Sequence, residues 1–284
     1  MGDPTGVLVR RFLFTILATS LSILCAWGFW WEPSRLVTRE TTLRLPAWPS
    51  GCSGLRVAVL SDLHVGSPFK GIDSLPRLLD AVRAAHPDLI LLAGDYVIQG
   101  VLGGTPTSPE VIGAHLSGLQ ARLGVFAVLG NHDDRMGRAR VRDALVGQGI
   151  PVLEDESRRV QDGACRFWIA GVTDYQQGPH DVQAALRTIP AEDAVVVLTH
   201  NPDLFPSVPP RVALTIAGHT HGGQVLLPLI GRPVIPSKYG QRYAIGPIEE
   251  GGRHLFVTPG IGTSIVPVRL GVPPEISVLT LRRG

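Results

Sequence analysis

The polar run Gly130-Asn131-His132-Asp133-Asp134 directly follows an apolar stretch, residues 124–129, that contains no charge. An apolar run that ends in Gly and then carries an amide, an imidazole and two carboxylates is typical of a buried strand. Reactive side chains are common in the loop after such a strand, because open α/β sheets place their sites at the carboxyl ends of strands. We therefore expect a functional site around Asn131 and His132.

Four other apolar runs end in the same way. They occupy residues 57–60, 89–93, 195–198 and 212–217, and they lead into Asp62-Leu63-His64, Gly94-Asp95, Thr199-His200-Asn201 and Gly218-His219-Thr220-His221. Capping residues and periodicity predict helices over 74–85, 109–123, 138–146 and 181–187, and further strands over 166–172, 254–257 and 276–281. These alternating elements predict an α/β protein with a two-sheet core and helices outside.

The composition excludes several classes of protein. The 284 residues are 44% hydrophobic and 18% charged, which is enough for one large core and unlike a disordered chain. A formal net charge of +2 gives no electrostatic support for a nucleic-acid partner. The three cysteines, Cys25, Cys52 and Cys165, lack the spacing of a metal site. A Cys52–Cys165 disulfide is one interpretation, and two unpaired thiols are the one we favour.

The amino terminus has the composition of a membrane anchor. Residues 12–31 contain no charge, follow Arg10-Arg11 and precede Glu32. A helix of this length covers the hydrocarbon core of about 30 Å, with three tryptophans (Trp27, Trp30 and Trp31) at the interface. A cleaved signal peptide is the alternative, and the paired arginines loosely resemble a twin-arginine export signal. We interpret the segment as an uncleaved helix, because tryptophans occupy the place of small cleavage residues.

The sequence thus divides into three parts. Residues 1–31 are the membrane anchor, residues 32–54 are a linker that includes a possible edge strand over 37–45, and residues 55–284 are the main domain. Basic residues lie on both sides of the apolar helix, so their balance hardly orients it. We favour a domain on the exported side, with the cytoplasmic face as the alternative.

The polar strand ends predict a site for two metal ions. Carboxylates, imidazoles and one amide without thiolates suit Mn, Fe, Zn or Mg. Asp62 and His64 occupy alternate positions of a strand end and project to the same side, as do His219 and His221. Asp95 has two oxygens and can bridge two cations. Two such ions about 3.5 to 4 Å apart activate a bridging water and bind a phosphoryl oxygen, which implies hydrolysis of a phosphoester.

The ordered set of these blocks resembles the calcineurin-like metallophosphoesterases, with no ligand missing between residues 55 and 281. The resemblance implies a four-layer α/β/β/α sandwich with two mixed sheets and a cofactor of two divalent ions, with Mn as the first choice. The metal ligands that it implies form two sets. Asp62, His64 and His221 bind one ion, Asn131, His200 and His219 bind the other, and Asp95 bridges them.

The resemblance also implies a catalytic role for His132, which is not a ligand. As an imidazolium it would stabilise the transition state or protonate the leaving oxygen. Asp133 is the second predicted catalytic residue, because it could accept the other N–H of His132, and capping of the following turn is the alternative. Asp174 and Tyr175 could approach the substrate from a loop, and a plain turn is the alternative. Four histidines outside the blocks, His86, His115, His180 and His254, are expected in surface or capping roles.

Three closing segments, residues 219–224, 260–264 and 273–276, resemble the membrane-anchored bacterial branch of the family. That branch is grouped with UDP-2,3-diacylglucosamine hydrolases, which implies an amphiphilic phosphoester substrate and a lipid bilayer as partner. An exported domain would instead meet phosphodiesters or phosphomonoesters of the cell envelope. A membrane-tethered module that binds phosphate without hydrolysing it is the remaining alternative, and the presence of Asp95 and His132 argues against it.

Overall fold

The computed structural model describes residues 4–174, 176 and 181–284, so Tyr175 and His180 lie outside the described part of the chain. Eleven strands are found among the described residues, in chain order β1 (Val37–Leu45), β2 (Leu55–Leu60), β3 (Leu89–Leu92), β4 (Val125–Ala127), β5 (Glu156–Asp162), β6 (Cys165–Gly171), β7 (Val195–Leu198), β8 (Leu214–Ala217), β9 (Gly246–Glu250), β10 (Arg253–Val257) and β11 (Glu275–Arg283). The helices are α1 (Pro4–Ala26), α2 (Glu32–Ser34), α3 (Leu75–Ala84), α4 (Pro109–Leu116), α5 (Asn131–Val146) and α6 (Val182–Leu186).

The strands form two mixed sheets. The first has the order β1-β11-β2-β3-β4 and the second has the order β5-β6-β7-β8-β10-β9. Strands β2, β3 and β4 run parallel, as do β6, β7, β8 and β10. The polar blocks recognised in the sequence follow the carboxyl ends of strands in both parallel sets.

The sheets are buried on both faces, which explains their uninterrupted apolar sequences. Along β2, Val57 and Val59 pack between the two sheets, while Ala58 and Leu60 pack beneath α3, α4 and α5. Strand β7 alternates in the same way between the inter-sheet core and the layer that contains α6. The predicted α/β/β/α sandwich is therefore confirmed.

Two helix boundaries differ from the sequence-based expectation. Helix α4 ends at Leu116 and not at Leu123, before the glycine at position 118. Helix α5 begins at Asn131 and not at Arg138, and it is kinked where Gly137 has φ 124°. The helical pattern is readable only after this kink, because the first turn carries polar site residues. The predicted metal ligand Asn131 and its neighbour His132 consequently lie in the first turn of a helix.

Two strands were not predicted, β5 and β9, and they are the two outer strands of the second sheet. Strand β5 pairs antiparallel with β6. Of its residues only Val160 is buried, so the sequence Glu156–Asp162 lacks the apolar alternation that indicates a strand.

The amino-terminal helix is long and apolar enough to cross a membrane. It covers 28 residues, Val7–Ser34, and includes a π-helical turn at Trp27–Trp31. Its end packs on the domain: Gly28 is buried and its carbonyl accepts the N–H of Arg269. The buried Glu32 carboxylate accepts the Trp27 indole N–H and the backbone N–H of Gly271. The helix is thus attached to the loop that precedes β11.

The segment predicted as a linker is largely packed. Strand β1 forms the edge of the first sheet and runs parallel to β11. Trp48 is buried in the inter-sheet core, where its ring lies 5.1 Å from that of Phe167.

The expectation of two unpaired thiols is wrong, because Cys52 and Cys165 form a disulfide. Cys52 ends the turn before β2 and Cys165 begins β6, so the bond joins the two sheets. Their separation of 113 residues carried no local pattern that would have paired them. Cys25 is free and exposed on α1.

Candidate metal centre and active site

The polar blocks meet at one end of the two sheets, in the loops after β2, β3, β4, β7 and β8. The side chains that the sequence selected are all buried. They are Asp62, His64, Asp95, Asn131, His132, Asp133, His200, His219 and His221.

Five of these residues have left-handed backbone conformations. The φ angles are 49° at Asp62, 40° at His64, 57° at Asp95, 69° at His219 and 50° at His221. Such angles are uncommon for residues other than glycine and cost of order 1–3 kcal/mol each. The surrounding fold holds all five residues in this conformation. The backbone conformation therefore orients the five side chains at the site.

The first group of potential ligands consists of Asp62, His64 and His221. The Nε2 atoms of His64 and His221 lie 3.1 Å apart, and His221 Nε2 lies 3.4 Å from Asp62 Oδ1. His64 Nδ1 lies 3.0 Å from the carbonyl of Val97 and must donate to it, so Nε2 of the neutral ring presents a lone pair. The lone pair of His64 Nε2, the Nε2 atom of His221 and a carboxylate oxygen of Asp62 thus lie close together.

The second group consists of Asp95, Asn131, His200 and His219. His200 Nε2 lies 3.2 Å from each of three atoms: Asp95 Oδ2, Asn131 Oδ1 and His219 Nδ1. His200 Nδ1 lies 2.7 Å from the Ala93 carbonyl, which can only accept, so this ring too is fixed by a backbone partner.

Asp95 lies between the two groups. Its Oδ2 atom is 3.2 Å from His200 Nε2 and 3.7 Å from His64 Nε2. Its Oδ1 atom accepts the backbone N–H of His132 at the start of α5, where the helix dipole favours a negative charge. One carboxylate therefore faces both potential ligand groups.

The donor set fits divalent cations. Asp62 Oδ1 is buried without a hydrogen-bond partner among the described residues, which is costly for an oxygen that no cation contacts. Spacings of 3.1 to 3.4 Å within the groups resemble those of ligand atoms about 2.1 Å from one ion, which lie roughly 3 Å apart at right angles. Three groups that include these residues have one ligand atom per residue within 4.8 Å of the others.

Burial sets the protonation states of the free site. It raises the pKa of Asp62 to about 6 and lowers the pKa of His64 to about 4 and of His219 to about 3. Burial opposes the charge on Asp95, but His200 and other imidazoles hold the pKa of Asp95 well below its usual value. Burial also opposes the charge on His200, but Asp95 raises the pKa of His200 well above its usual value. Neutral imidazoles are the form that binds metal ions, so His64 and His219 are ready to bind, whereas His200 must lose its proton.

His132 lies beside both groups. Its ring meets that of His64 edge to face at 4.7 Å, and its Nε2 lies 4.0 Å from Asp95 Oδ2. The side chain is 11% exposed, and Nδ1 has no hydrogen-bond partner in the described part of the chain. Burial lowers the pKa of His132, while Asp95 acts in the opposite direction.

The predicted contact between Asp133 and the His132 ring is not formed. Asp133 Oδ2 accepts the backbone N–H groups of Gly130 and Asp95, and Oδ1 accepts those of Tyr96 and Val97. Burial and Asp95 raise the pKa of Asp133 to about 8, whereas these donors favour the charged form. Asp133 caps α5, as the alternative held, and also holds the Asp95 loop against Gly130.

Other contacts at the site were not predicted. Gln176 Nε2 lies 3.4 Å from His219 Nε2, while Asp174 is buried and accepts the N–H of Gln176. The fully buried Arg269 donates to the carbonyls of Pro259, Gly260, Gly262 and Val272. The only sequence signal for Arg269 is a lone charge in an apolar run.

Arg269 supports the wall of the site. The loop that it holds contacts the first ligand group, since the N–H groups of Ile261 and Gly262 donate to the carbonyls of Ser61 and Asp62. A Cβ atom at Gly260 would lie 2.6 Å from the Cβ of Asp62, and one at Gly262 would lie 2.6 Å from that of His64. Only glycine allows this approach.

The family model for calcineurin-like phosphoesterases matches residues 55–223, which is more than half of the chain. The chain belongs to this family, and it is a phosphoesterase.

Several relatives share nearly the whole chain. An uncharacterized metallophosphoesterase, YkuE of Bacillus subtilis, is 29% identical over 88% of this chain and 87% of its own length. Phosphodiesterase YaeI of Escherichia coli is 31% identical over 96% of this chain and 98% of its own. A transmembrane protein with metallophosphoesterase domain from Danio rerio is 26% identical over 89% of this chain and 58% of its own.

Proposed function

We propose that this phosphoesterase uses two divalent cations, held by the two groups of buried ligands. The position of Asp95 Oδ2, 3.2 Å from His200 Nε2 and 3.7 Å from His64 Nε2, is the observation that carries the proposal. Asp62, His64 and His221 would hold one cation, Asn131, His200 and His219 the other, and Asp95 both.

The chemistry of the ligands limits the metal. Nitrogen and oxygen donors without thiolates suit Mn, Fe, Zn or Mg, and Mn is our first choice. When bound, two such ions supply Lewis-acid stabilisation of phosphoryl charge and a water of lowered pKa. The backbone carbonyls of Ala93 and Val97 orient the rings of His200 and His64 for this role, because each holds the opposite ring nitrogen.

His132 is the proposed proton donor. It lies next to both ligand groups, and its side chain retains some exposure, which gives a substrate access to the ring. A protonated ring here would donate to the leaving oxygen of the ester or stabilise its developing charge. Burial lowers the pKa of His132 in the free site, and the nearby Asp95 carboxylate acts against this shift.

The disulfide supports a domain on the exported side of the membrane. Disulfides persist in oxidising compartments and are rare in the cytosol, and Cys52–Cys165 lies in the same domain as the site. The helix Val7–Ser34 would then remain as a membrane anchor. An exported site would meet phosphodiesters of the cell envelope, whereas a lipid-precursor nucleotide would be met in the cytoplasm. We therefore favour a phosphodiesterase that acts on envelope phosphoesters.

A substrate panel tests this function. The full chain, reconstituted in vesicles and loaded with Mn²⁺, is assayed with bis-p-nitrophenyl phosphate, p-nitrophenyl phosphate and UDP-2,3-diacylglucosamine. We expect the simple diester to be hydrolysed and to be preferred over the monoester. Turnover of the lipid nucleotide far above both simple esters would replace our proposal with a lipid-precursor hydrolase, and no turnover of any substrate would refute catalysis.

A further inference from the structure

Five exposed apolar side chains lie in loops that follow the site residues or contact them. We call them the apolar rim: Phe69, Leu102, Leu229, Ile230 and Ile265. Phe69 follows His64, Leu102 follows Asp95, and Leu229 and Ile230 follow His221. Ile265 lies on the loop whose residues Ile261 and Gly262 donate to the carbonyls of Ser61 and Asp62. The rim therefore belongs to the same end of the sheets as the site.

The rim loops contact one another and contain few charges. The N–H of Leu102 donates to the carbonyl of Ile265, and the N–H of Leu226 donates to that of Leu270. Residues 98–108, 224–236 and 261–274 contain Arg232 and the buried Arg269 as their only charged residues, whereas 18% of the whole chain is charged. Lys70 and Asp73 lie near Phe69, but so few charges in the other rim loops are unusual, and exposed apolar patches mark interaction sites.

Three rim residues combine an exposed apolar side chain with a strained backbone, and the stability of the fold does not explain this combination. Phe69, Leu229 and Ile265 have φ angles of 66°, 67° and 61°. Glycine or asparagine is preferred in this left-handed conformation, and a β-branched residue such as Ile265 is an outlier there. Ile265 is 72% exposed, so its side chain gains little from packing within the domain. The Ile265 side chain is therefore available for contacts outside the domain.

Contacts between the rim loops and the anchor helix indicate that a membrane lies against the rim. The carbonyl of Gly28 accepts the N–H of Arg269, four residues after Ile265, and Glu32 accepts the N–H of Gly271. On the other side, Lys70, which follows Phe69, donates to the carbonyl of Arg35. The exposed tryptophans Trp27, Trp30 and Trp31 at this end of the helix mark the membrane interface. Two rim loops are therefore fixed to the helix at the level of that interface.

We propose that the apolar rim inserts into the interfacial layer of the same bilayer that the anchor helix spans. The domain would then lie on the membrane, with the site next to the lipid head groups, and its phosphodiester substrates would be reached at the bilayer surface. This inference rests on the proposed function only for the identity of the substrate, because the membrane contact follows from the rim and the helix.

Nitroxide accessibility tests the contact in the full chain. A Cys25→Ser background leaves the paired Cys52 and Cys165, so a single label can be attached at Leu229→Cys or Ile265→Cys. Val146→Cys is the matched control, because Val146 is apolar, 50% exposed and at the far end of α5, about 20 Å from Asn131 by helix rise. The samples are reconstituted in vesicles of phosphatidylcholine and phosphatidylglycerol.

We expect labels at positions 229 and 265 to be more accessible to oxygen than to a water-soluble nickel chelate, and the label at position 146 to show the reverse. Labels at 229 and 265 that are as water-accessible as the control would overturn the membrane contact. Hydrolysis of soluble bis-p-nitrophenyl phosphate by the same samples separates the two proposals. Turnover with water-accessible rim labels refutes only the contact, while membrane-embedded labels without turnover refute only the proposed function.

A second experiment tests insertion of the rim without a label at position 229 or 265. The nitroxide is placed at Leu102→Cys, and Ile265→Asp is added. This substitution should lower the population of membrane-inserted protein about tenfold, since it puts a carboxylate where the proposal inserts an isoleucine into the membrane interface. Val146→Asp should leave the label unchanged. Equal accessibility in both variants would contradict insertion of the rim.

Discussion

At the scale of single residues, the site combines strained backbone with buried polar side chains. Asp62, His64, Asp95, His219 and His221 all have positive φ, and close contacts to neighbouring loops hold Asp62, His64 and Asp95. Strain of this kind is retained where the surrounding structure over-determines it, and it often accompanies function. The division of roles among the ligands and His132 is therefore best tested by separating metal content from turnover.

Asp95 and His132 should differ in their effect on metal binding. We expect Asp95→Ala to lose both metal and activity, because its Oδ2 faces both ligand groups. His132→Ala should keep the metal but lower turnover about a hundredfold to ten-thousandfold, the usual contribution of a positioned acid. Metal content is measured by inductively coupled plasma mass spectrometry, with His115→Ala on α4 as control. Equal metal loss in both variants would contradict the role given to His132.

Asp133 should act on stability and metal binding through the Asp95 loop. Asp133→Asn turns one acceptor into a donor that faces backbone N–H groups, which should cost about 1.5–3 kcal/mol of unfolding free energy and weaken metal retention. Asp134→Asn is the control, since the Asp134 carboxylate pairs with Arg138. Thermal melting and metal content give the comparison. An unchanged melting temperature with a shifted pH profile of turnover would instead assign Asp133 to the His132 ring.

At the scale of elements, the disulfide should contribute to stability but not to catalysis. It closes a loop of 113 residues between the two sheets. Cys52→Ser with Cys165→Ser should lower the unfolding free energy by about 2–5 kcal/mol, and turnover of the folded protein should remain. Cys25→Ser on the exposed helix should change neither quantity. A double variant as stable as the wild type would show that the disulfide does not contribute to the unfolding free energy.

The sequence predicted most elements that have an apolar pattern and missed those that lack one. Helix α3 and strands β2, β3, β7 and β8 follow from continuous or periodic apolar residues. Strand β5 buries only Val160, so its pairing with β6 decides its conformation and no local signal does. The first turn of α5 was missed because Gly137 interrupts the helix and polar residues precede it.

The site residues were predictable to a similar extent. All seven expected ligands come together, since each lies at the end of a strand whose neighbour was also recognisable. The partner of Asp133 was not predictable, because the backbone N–H groups that it accepts become available only when the loops after β3 and β4 meet. The Cys52–Cys165 pair is 113 residues apart, and no local pattern favoured it over two unpaired thiols. Arg269 was missed although its carbonyl partners are near in sequence, because a lone charge in an apolar run does not reveal the loop conformation that gathers them.

At the scale of the whole molecule, the helix, the disulfide and the apolar rim support our proposal of a domain attached to a membrane at the end that carries its site. The disulfide predicts the exported side for this domain. An alkaline phosphatase fused after Gly284 should therefore be active in cells, because this reporter folds only outside the cytoplasm. A cytoplasmic reporter fused at the same residue is the control. Activity of the cytoplasmic reporter alone would reverse the orientation.

The dependence of turnover on bound metal tests the central proposal most directly. The full chain in vesicles is stripped with a chelator, Mn²⁺ is added in steps, and hydrolysis of bis-p-nitrophenyl phosphate is recorded with the metal content of the same samples. We expect no turnover without metal and a plateau at two ions per chain, as the two ligand groups around Asp95 require. Full activity with one ion per chain, or after complete removal of metal, would contradict the binuclear site.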